Sequence, residues 1–442
     1  MCDTARAQFA YFDPASGNLA FMENAGGSQV PTCVADAVRD HLLYNCAQLG
    51  AGYAVSNRSD AAVVGAHEVV RALFNAHGAG EVALGACTSQ LFAAVADAYR
   101  RVGAIGPGDE IIVQEACHEA NASPWVRLAA DTGATLVWWR FREGPAAESA
   151  LADLAQLLTP RTRLVAAVHV SNILGAVLDA AQLVQTVRGG PRGARTRVAL
   201  DGVAFAPHLP VDVAAWGVDW YAVSLYKICG PHMAALFGTH TAFAEVAEGG
   251  PNHYFVHASA VPYKWELGGP SHEACAGVAA LPRYLAAVAG EEAPPVPVEH
   301  KRAPQAAGAL GVQQQRLRAT IEAAFARFVL MEQPLQEKLL AYLATKPQVT
   351  VIGPPTAQPG ERVPVVSFRH STQRSADIAK KLQERGFALR NGHNYAHRLL
   401  TRLAEAGAWA GGAEDGVVRV SLLHYNTPGE VAALIDAMEA VL

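Results

Sequence analysis

Charge is scarce in this chain. Asp, Glu, Lys and Arg make up 17% of its 442 residues, against about 25% in an ordinary soluble domain. A net charge of −5 leaves no basic surplus to hold nucleic acid or an anionic membrane, so neither is expected as a partner. Cysteine is sparse and irregular. The seven thiols, at positions 2, 33, 46, 87, 117, 229 and 275, are odd in number and form no CxxC pair, which argues against a disulfide frame or a zinc site. The 16 histidines include no HExxH pattern, and no metal is expected. Met1-Cys2-Asp3-Thr4-Ala5-Arg6 lacks a basic region feeding an apolar core, so no signal peptide is expected. Long apolar runs are missing as well: Leu164 to Val187 is broken by His169, Asn172, Asp179 and Gln182, and nothing reads as a membrane span. Together these absences predict a cytoplasmic protein with reduced thiols.

What remains is a large apolar interior, with 51% of residues hydrophobic, in a chain long enough for two or three domains. Short β runs alternate with helical patterns: Glu81–Leu84, a helix from Gln90, Glu110–Val113, a helix near Trp125, Thr135–Trp139, Leu164–Val168, a helix near Ala181, Val198–Leu200 and Tyr221–Ser224. Helical stretches at Val34–Leu43 and Ala61–Ala76 precede them. This alternation predicts an α/β fold with a largely parallel sheet covered by helices. Pro294, Pro295, Pro297 and Pro304 mark 291–306 as an exposed linker. Beyond it, a long helix over Gln313–Thr345 leads to a smaller α/β unit. That unit has β runs at Thr350–Ile352, Val363–Phe368 and Val417–Leu422, and helices from Ser375, Tyr395 and Pro428.

The chemistry concentrates at predicted strand ends. Asp201 closes one β run, and Lys227 follows the next in Ser224-Leu225-Tyr226-Lys227 before a Gly/Pro turn. A lysine able to form a Schiff base, beside a carboxylate able to keep a pyridine nitrogen protonated, suits pyridoxal 5′-phosphate. Gly85-Ala86-Cys87-Thr88-Ser89-Gln90 lies between a β run and a helix. Its small residues and hydroxyls, with the helix N-terminus, suit a phosphate. His118 can stack on a pyridine face, and Asn172 stands where another strand ends, in reach of a phenolic oxygen or a substrate carboxylate.

This ordered set resembles the class V aminotransferase family of fold-type I pyridoxal-phosphate enzymes, in particular its cysteine desulfurase-like branch. The resemblance runs from Asn24-Ala25-Gly26 to His424-Tyr425-Asn426-Thr427. It implies a large domain with a mostly parallel seven-stranded sheet (31–300), a linker and connecting helix (301–345), a smaller C-terminal α/β domain (346–442) and an N-terminal segment (1–30) that reaches the active site. Carried over by motif, Lys227 is similar to the Schiff-base lysine, Asp201 to the partner of the pyridine nitrogen and His118 to the stacking residue. Cys87, Thr88, Ser224 and Tyr226 match the phosphate side. Tyr226 stands where many members have histidine, and Ala204 where many have a glutamine facing the phenolic oxygen. Arg419, in Val417-Val418-Arg419-Val420-Ser421, is similar to the arginine that takes the substrate carboxylate, a task suited to a guanidinium fork. Asn24, Gly26, Asn172 and His393 join it on the substrate side. Family members are homodimers with shared active sites, so Arg58 and Gly268-Gly269-Pro270-Ser271 are expected to face a partner subunit.

One departure bears on the reaction. Desulfurases carry a thiolate in the second domain, whereas here Leu389-Arg390-Asn391-Gly392-His393-Asn394-Tyr395-Ala396-His397 puts Tyr395 in that place. No cysteine follows Cys275. A phenol with a pKa near 10 is a poor acceptor of sulfur. The expected chemistry is therefore β-elimination from a cysteine-like amino acid, breaking a carbon–sulfur or carbon–selenium bond. Lys227 would act as base and Tyr395 or His393 as candidate proton donor, with an apolar wall from Trp125, Tyr395 and Tyr425. Alternatives are a desulfurase using another thiol, an aminotransferase and an epimerase.

Overall fold

The computed structural model describes residues 2–142, 144, 149–296, 307–405 and 410–442. Seven strands form the main sheet, in the spatial order Gly80–Gly85, Ala234–Thr239, Trp220–Ser224, Arg197–Asp201, Thr162–Val168, Glu110–Gln114 and Thr135–Trp139. Neighbours from Trp220–Ser224 to Thr135–Trp139 are parallel. Ala234–Thr239 runs antiparallel to both its neighbours, so the sheet is mixed yet largely parallel, as the sequence pattern predicts. That strand escapes a pattern search because Ala234-Ala235-Leu236-Phe237-Gly238 has little β-branched character. It is placed instead by its pairing, Ser224 opposite Ala234. Val165, Val198 and Val223 pack into one buried cluster and Leu164, Ala199 and Ala222 into a second, as expected of strands covered on both faces.

Helix Ala307–Ala344 spans about 57 Å at 1.5 Å per residue. It leads to a four-stranded antiparallel sheet in the order Arg390–Gly392, Val417–Ser421, Val365–His370 and Val349–Ile352. The N-terminal segment joins this smaller unit: Ala20–Phe21 pairs in parallel with Phe387–Ala388, and Met22 is buried in the same core. Most expected elements recur with shifted ends. The helix expected from Ala61 begins at Ala54, its first turns hidden from a hydrophobic count by the buried Ser56 and Ser59. The helix expected from Tyr395 begins at His397, because Asn394 and Tyr395 both adopt left-handed backbone (φ 47° and 61°). Most of the expected 291–306 linker lies outside the described residues. Among the described residues, no helix is long and apolar enough to cross a membrane.

Candidate active site

The carboxyl ends of the central strands form the floor of the site, where an open α/β sheet places its ligands. Asp201 stands level with Val168 and Ala222 in the ladder. It is 2% exposed, and its Oδ1 accepts a hydrogen bond from the Val203 N–H at 2.9 Å. Burial pushes its carboxyl up to about 6, while the Val203 bond and the nearby Lys227 pull it back. Lys227 ends a single 3₁₀ turn, Leu225–Lys227, that follows the next strand. Burial, then the Arg419 guanidinium, bring its amine down to about 8, with Asp201 opposing. Gly230 lets the chain double back here: a Cβ would meet the Leu225 carbonyl oxygen at 2.8 Å.

The helix Thr88–Arg101 points its N-terminus at the same place, and Cys87 at its N-cap makes no side-chain cap bond. Thr88 caps nothing either. Its Oγ1 lies 2.8 Å from Ser224 Oγ, so two hydroxyls and the uncapped amides of the first turn converge, a ready site for an anion. His118 Nδ1 accepts from the Ala120 N–H at 3.0 Å, which leaves the ring proton on Nε2. Burial, with Lys227 and Arg419 adding repulsion, lowers this imidazole to about 3, so it is neutral at physiological pH.

Asn172 lines the same space, and Arg419, which is not among the lining residues, contacts Asn172. Asn172 Nδ2 donates to the Asn394 carbonyl at 2.8 Å, and Arg419 Nη1 donates to the Asn172 carbonyl at 3.3 Å. Asn172 Oδ1 and Arg419 Nε and Nη2 are buried without a partner among the described residues. Buried polar atoms of this kind are rare and invite a ligand. Arg419 occupies the middle of its strand and is 2% exposed; burial lowers its guanidinium to about 10, still cationic at neutral pH.

Every residue expected to touch the cofactor (Cys87, Thr88, His118, Asn172, Asp201, Ala204, Ser224, Tyr226 and Lys227) lines one cavity. The substrate-side candidates are more dispersed. Asn24 holds the chain termini together: its Nδ2 donates to the Ser421 carbonyl at 2.8 Å and to Asn426 Oδ1 at 3.1 Å, and its Oδ1 accepts from the Tyr425 hydroxyl. Gly26 closes the adjoining turn, where a Cβ would overlap the Glu23 carboxylate. Tyr395 is 61% exposed, with its ring centroid 5.3 Å from that of His118. His393 Nδ1 accepts from the Tyr395 N–H at 3.1 Å. Trp125 and Tyr425 do not line the cavity. Trp125 is buried in the core with its Nε1 donating to Asn121, and Tyr425 packs edge-on against Phe9.

Two features escape a sequence reading. Glu119, next to His118, pairs with Arg398 of the second unit, and Glu332 on the connecting helix holds His208 at 2.8 Å. Each joins residues more than a hundred positions apart, for which local pattern carries no signal.

The donor set fits pyridoxal phosphate. A buried carboxylate lifted for want of a full cationic partner suits a protonated ring nitrogen, a partly neutral lysine suits an aldehyde, and the Thr88–Ser224 hydroxyls at a helix N-terminus suit a phosphate. Known proteins agree with this reading of the fold. The Aminotransferase class-V family model matches residues 20–294 and 301–434. The chain is 36% identical to the aminotransferase-like protein FGM3 of Gibberella zeae, over 96% of this chain and 94% of that one. It is 31% identical to the cysteine desulfurase-like protein ustD of Aspergillus flavus, over 75% of this chain and 67% of the other. It also matches the nonribosomal peptide synthetase-like enzyme fsqF of Aspergillus fumigatus at 32% identity, over 82% of this chain and 22% of that far longer one. Among solved structures, the Escherichia coli cysteine desulfurase CsdA superposes with a TM-score of 0.76 at 24% identity, covering 100% of this chain and 98% of that chain. From the cavity at the strand ends to the match along almost its whole length, the chain belongs to the class-V aminotransferase family and is cysteine desulfurase-like.

Proposed function

We propose that this protein binds pyridoxal phosphate through Lys227 and cleaves the bond between the β-carbon and sulfur (or selenium) of a cysteine-like amino acid. The observation that carries this reading is the pairing of a buried amine lowered to about 8 with a second unit that offers no thiol: no cysteine follows Cys275, and Tyr395 occupies the facing loop. Bound pyridoxal phosphate supplies the electron sink that lets an α-hydrogen leave as a proton. The remaining work falls to the chain. Asp201 would hold a positive ring nitrogen, Thr88, Ser224 and the helix amides would hold the phosphate, and neutral His118 would lie beside the ring without adding charge. The two free donors of Arg419 take the substrate carboxylate as a fork and fix the α-carbon beside Lys227.

Lys227, as the neutral amine, takes the α-proton. The electron pair left at the α-carbon forms the α–β double bond as the carbon–sulfur bond breaks, and sulfur departs with its bonding pair as hydrosulfide. The resulting 2-aminoacrylate tautomerises, and water hydrolyses it to pyruvate and ammonia, so atoms balance without an outside oxidant or reductant. The protein also works, in this reading, as a homodimer: Tyr254 and Phe255 are 103% and 82% exposed on a loop that Lys264 holds through the Asn252, His253 and Val256 carbonyls.

One observation favours a second reading. Cys87 lines the cavity at the N-cap of Thr88–Arg101, beside Thr88 and Ser224. Cys33, Cys117, Cys229 and Cys275 lie outside that cavity, and burial raises their thiols. A desulfurase acting through Cys87 would leave a persulfide there. The deciding experiment incubates holoenzyme with cysteine, cystine, a cysteine sulfoxide and selenocysteine while pyruvate and sulfide are measured. Pyruvate in step with sulfide supports elimination. Alanine together with a persulfide on Cys87 by mass spectrometry selects the second reading, and absence of pyruvate with all four substrates refutes the first.

A further inference from the structure

The loop that carries Tyr395 is tied to the large domain at several points. Asn394 and Tyr395 are consecutive non-glycine residues in left-handed backbone, a conformation that persists only where surrounding contacts over-determine it. Those contacts are present. Asn172 Nδ2 donates to the Asn394 carbonyl at 2.8 Å, and the Glu119 N–H donates to the Tyr395 carbonyl at 2.9 Å. The Glu119 carboxylate pairs with Arg398, one turn further on, and accepts from the Ser123 hydroxyl. The Arg398 guanidinium lies over the Trp138 ring, 4.9 Å from its centroid. Beneath the loop, Ala396, Leu399 and Leu400 pack in one buried cluster with Ala116, Ile173 and Leu174 of the large domain.

Glu119 and Arg398 are 30% and 31% exposed in their side chains, and an ion pair this open adds little to global stability. Its geometry matters more. Glu119 directly follows His118; its N–H and carboxylate hold the loop C-terminal to the Tyr395 side chain, while Asn172 holds it on the N-terminal side through the Asn394 carbonyl. Tyr395 is thereby set at the mouth, 5.3 Å from the His118 ring.

We propose that Glu119 and Arg398 are positioning residues that hold Tyr395 as a fixed wall at the mouth of the cavity, and that this wall sets the size of β-substituent admitted. The inference rests on the substrate class proposed above. It implies that the loop does not swing during turnover, unlike an arm that must carry a reacting group to the substrate.

The test uses holoenzyme variants Glu119→Gln and Arg398→Met, together with the charge-swapped pair E119R/R398E. Hydrogen exchange of the Glu119 and Ala396 amides reads the clamp without any substrate. The ratio of kcat/KM for S-benzylcysteine to that for cysteine reads the wall. Each single variant is expected to speed exchange by about tenfold, since a local clamp governs local opening, and to raise the ratio severalfold, while the swapped pair recovers part of both. Unchanged exchange and an unchanged ratio, with only a lower Tm, would overturn the proposal. If no variant and no wild type turns over either amino acid, the lyase reading fails on its own. The exchange result then still decides whether the clamp exists, and binding of the two amino acids, followed by the cofactor's absorbance, replaces the kinetic ratio.

Discussion

Replacing Arg419 by Met is expected to move stability and recognition in opposite directions. Arg419 is buried in mid-strand, with Nε and Nη2 unpartnered among the described residues and Nη1 bonded to the Asn172 carbonyl at 3.3 Å. Each unsatisfied buried donor costs about 1–3 kcal/mol, and one long hydrogen bond returns about 0.5–1.5 kcal/mol. Apolar replacement of a buried ionic group is accordingly neutral to stabilising by up to about 4 kcal/mol. Spread over the unfolding entropy of a chain of this size, that is a rise of a few °C in the Tm of substrate-free protein. Recognition goes the other way. Two charge-assisted bonds to a carboxylate, each worth about 1.5–3 kcal/mol, amount to roughly 10²–10⁴ in kcat/KM. The assay pairs thermal scans of substrate-free enzyme with titrations of cysteine and of cysteamine, its analogue without the carboxylate. Wild type should favour cysteine strongly, and Arg419→Met should treat the two alike. A Tm lowered by several °C, or a preserved preference for the carboxylate, would refute the assignment of Arg419 as a vacant fork.

Lys227→Ala should abolish the near-visible absorbance that lysine-bound pyridoxal gives and all turnover; survival of that band would remove the cofactor assignment. Uptake of pyridoxal phosphate requires the neutral amine, so its rate should climb with pH and level off above about 8, where the buried Lys227 titrates; a rate still climbing past pH 10 would show an ordinary lysine. Thr88→Val and Ser224→Ala should each weaken cofactor retention about tenfold, measured by dialysis, because each removes one hydroxyl of the 2.8 Å pair at the phosphate end. Glu332→Gln should cost about 1–3 kcal/mol in denaturant unfolding, since it weakens the 2.8 Å contact with the buried His208 and takes a carboxylate from between two buried imidazoles. The Glu332 carboxyl is held below its ordinary 4.5 by those histidines against burial. Its contribution is therefore present above pH 4.5 and fades as pH falls through the lower folded value, so the gap between wild type and variant should narrow in acid.

The parts of this protein legible from sequence are those set by local pattern. Strands Glu110–Gln114 and Arg197–Asp201 lie where apolar runs place them, because a strand buried on both faces must be apolar along its length. The cofactor side is legible for the same reason: each of its residues falls at the end of such a run, and the topology of an open sheet gathers those ends into one cavity. What pattern does not carry is pairing across the chain. Strand Ala234–Thr239 is defined by its partners rather than its composition. Asn24 matches a substrate-side motif, yet its amide is engaged by Ser421 and Asn426 at the other end of the chain.

Tyr395 shows how the two kinds of information combine. Its identity, a phenol in a stretch where no cysteine follows Cys275, is a fact of sequence and already argues against a persulfide on this loop. Whether the loop could deliver any group to the substrate is a matter of long-range contacts, and these oppose it. Asn172 and Glu119 bind the loop's carbonyls, and the leucines that follow share a buried cluster with Ala116, Ile173 and Leu174 of the large domain. A mobile arm would have to break these contacts in every cycle and re-expose Leu399 and Leu400 to water, at about 1.5–3 kcal/mol for each fully buried leucine. A fixed wall incurs no such cost. On the proposed function, bond making and breaking then falls to groups that already line the cavity, which include Lys227 and, as the one thiol among them, Cys87.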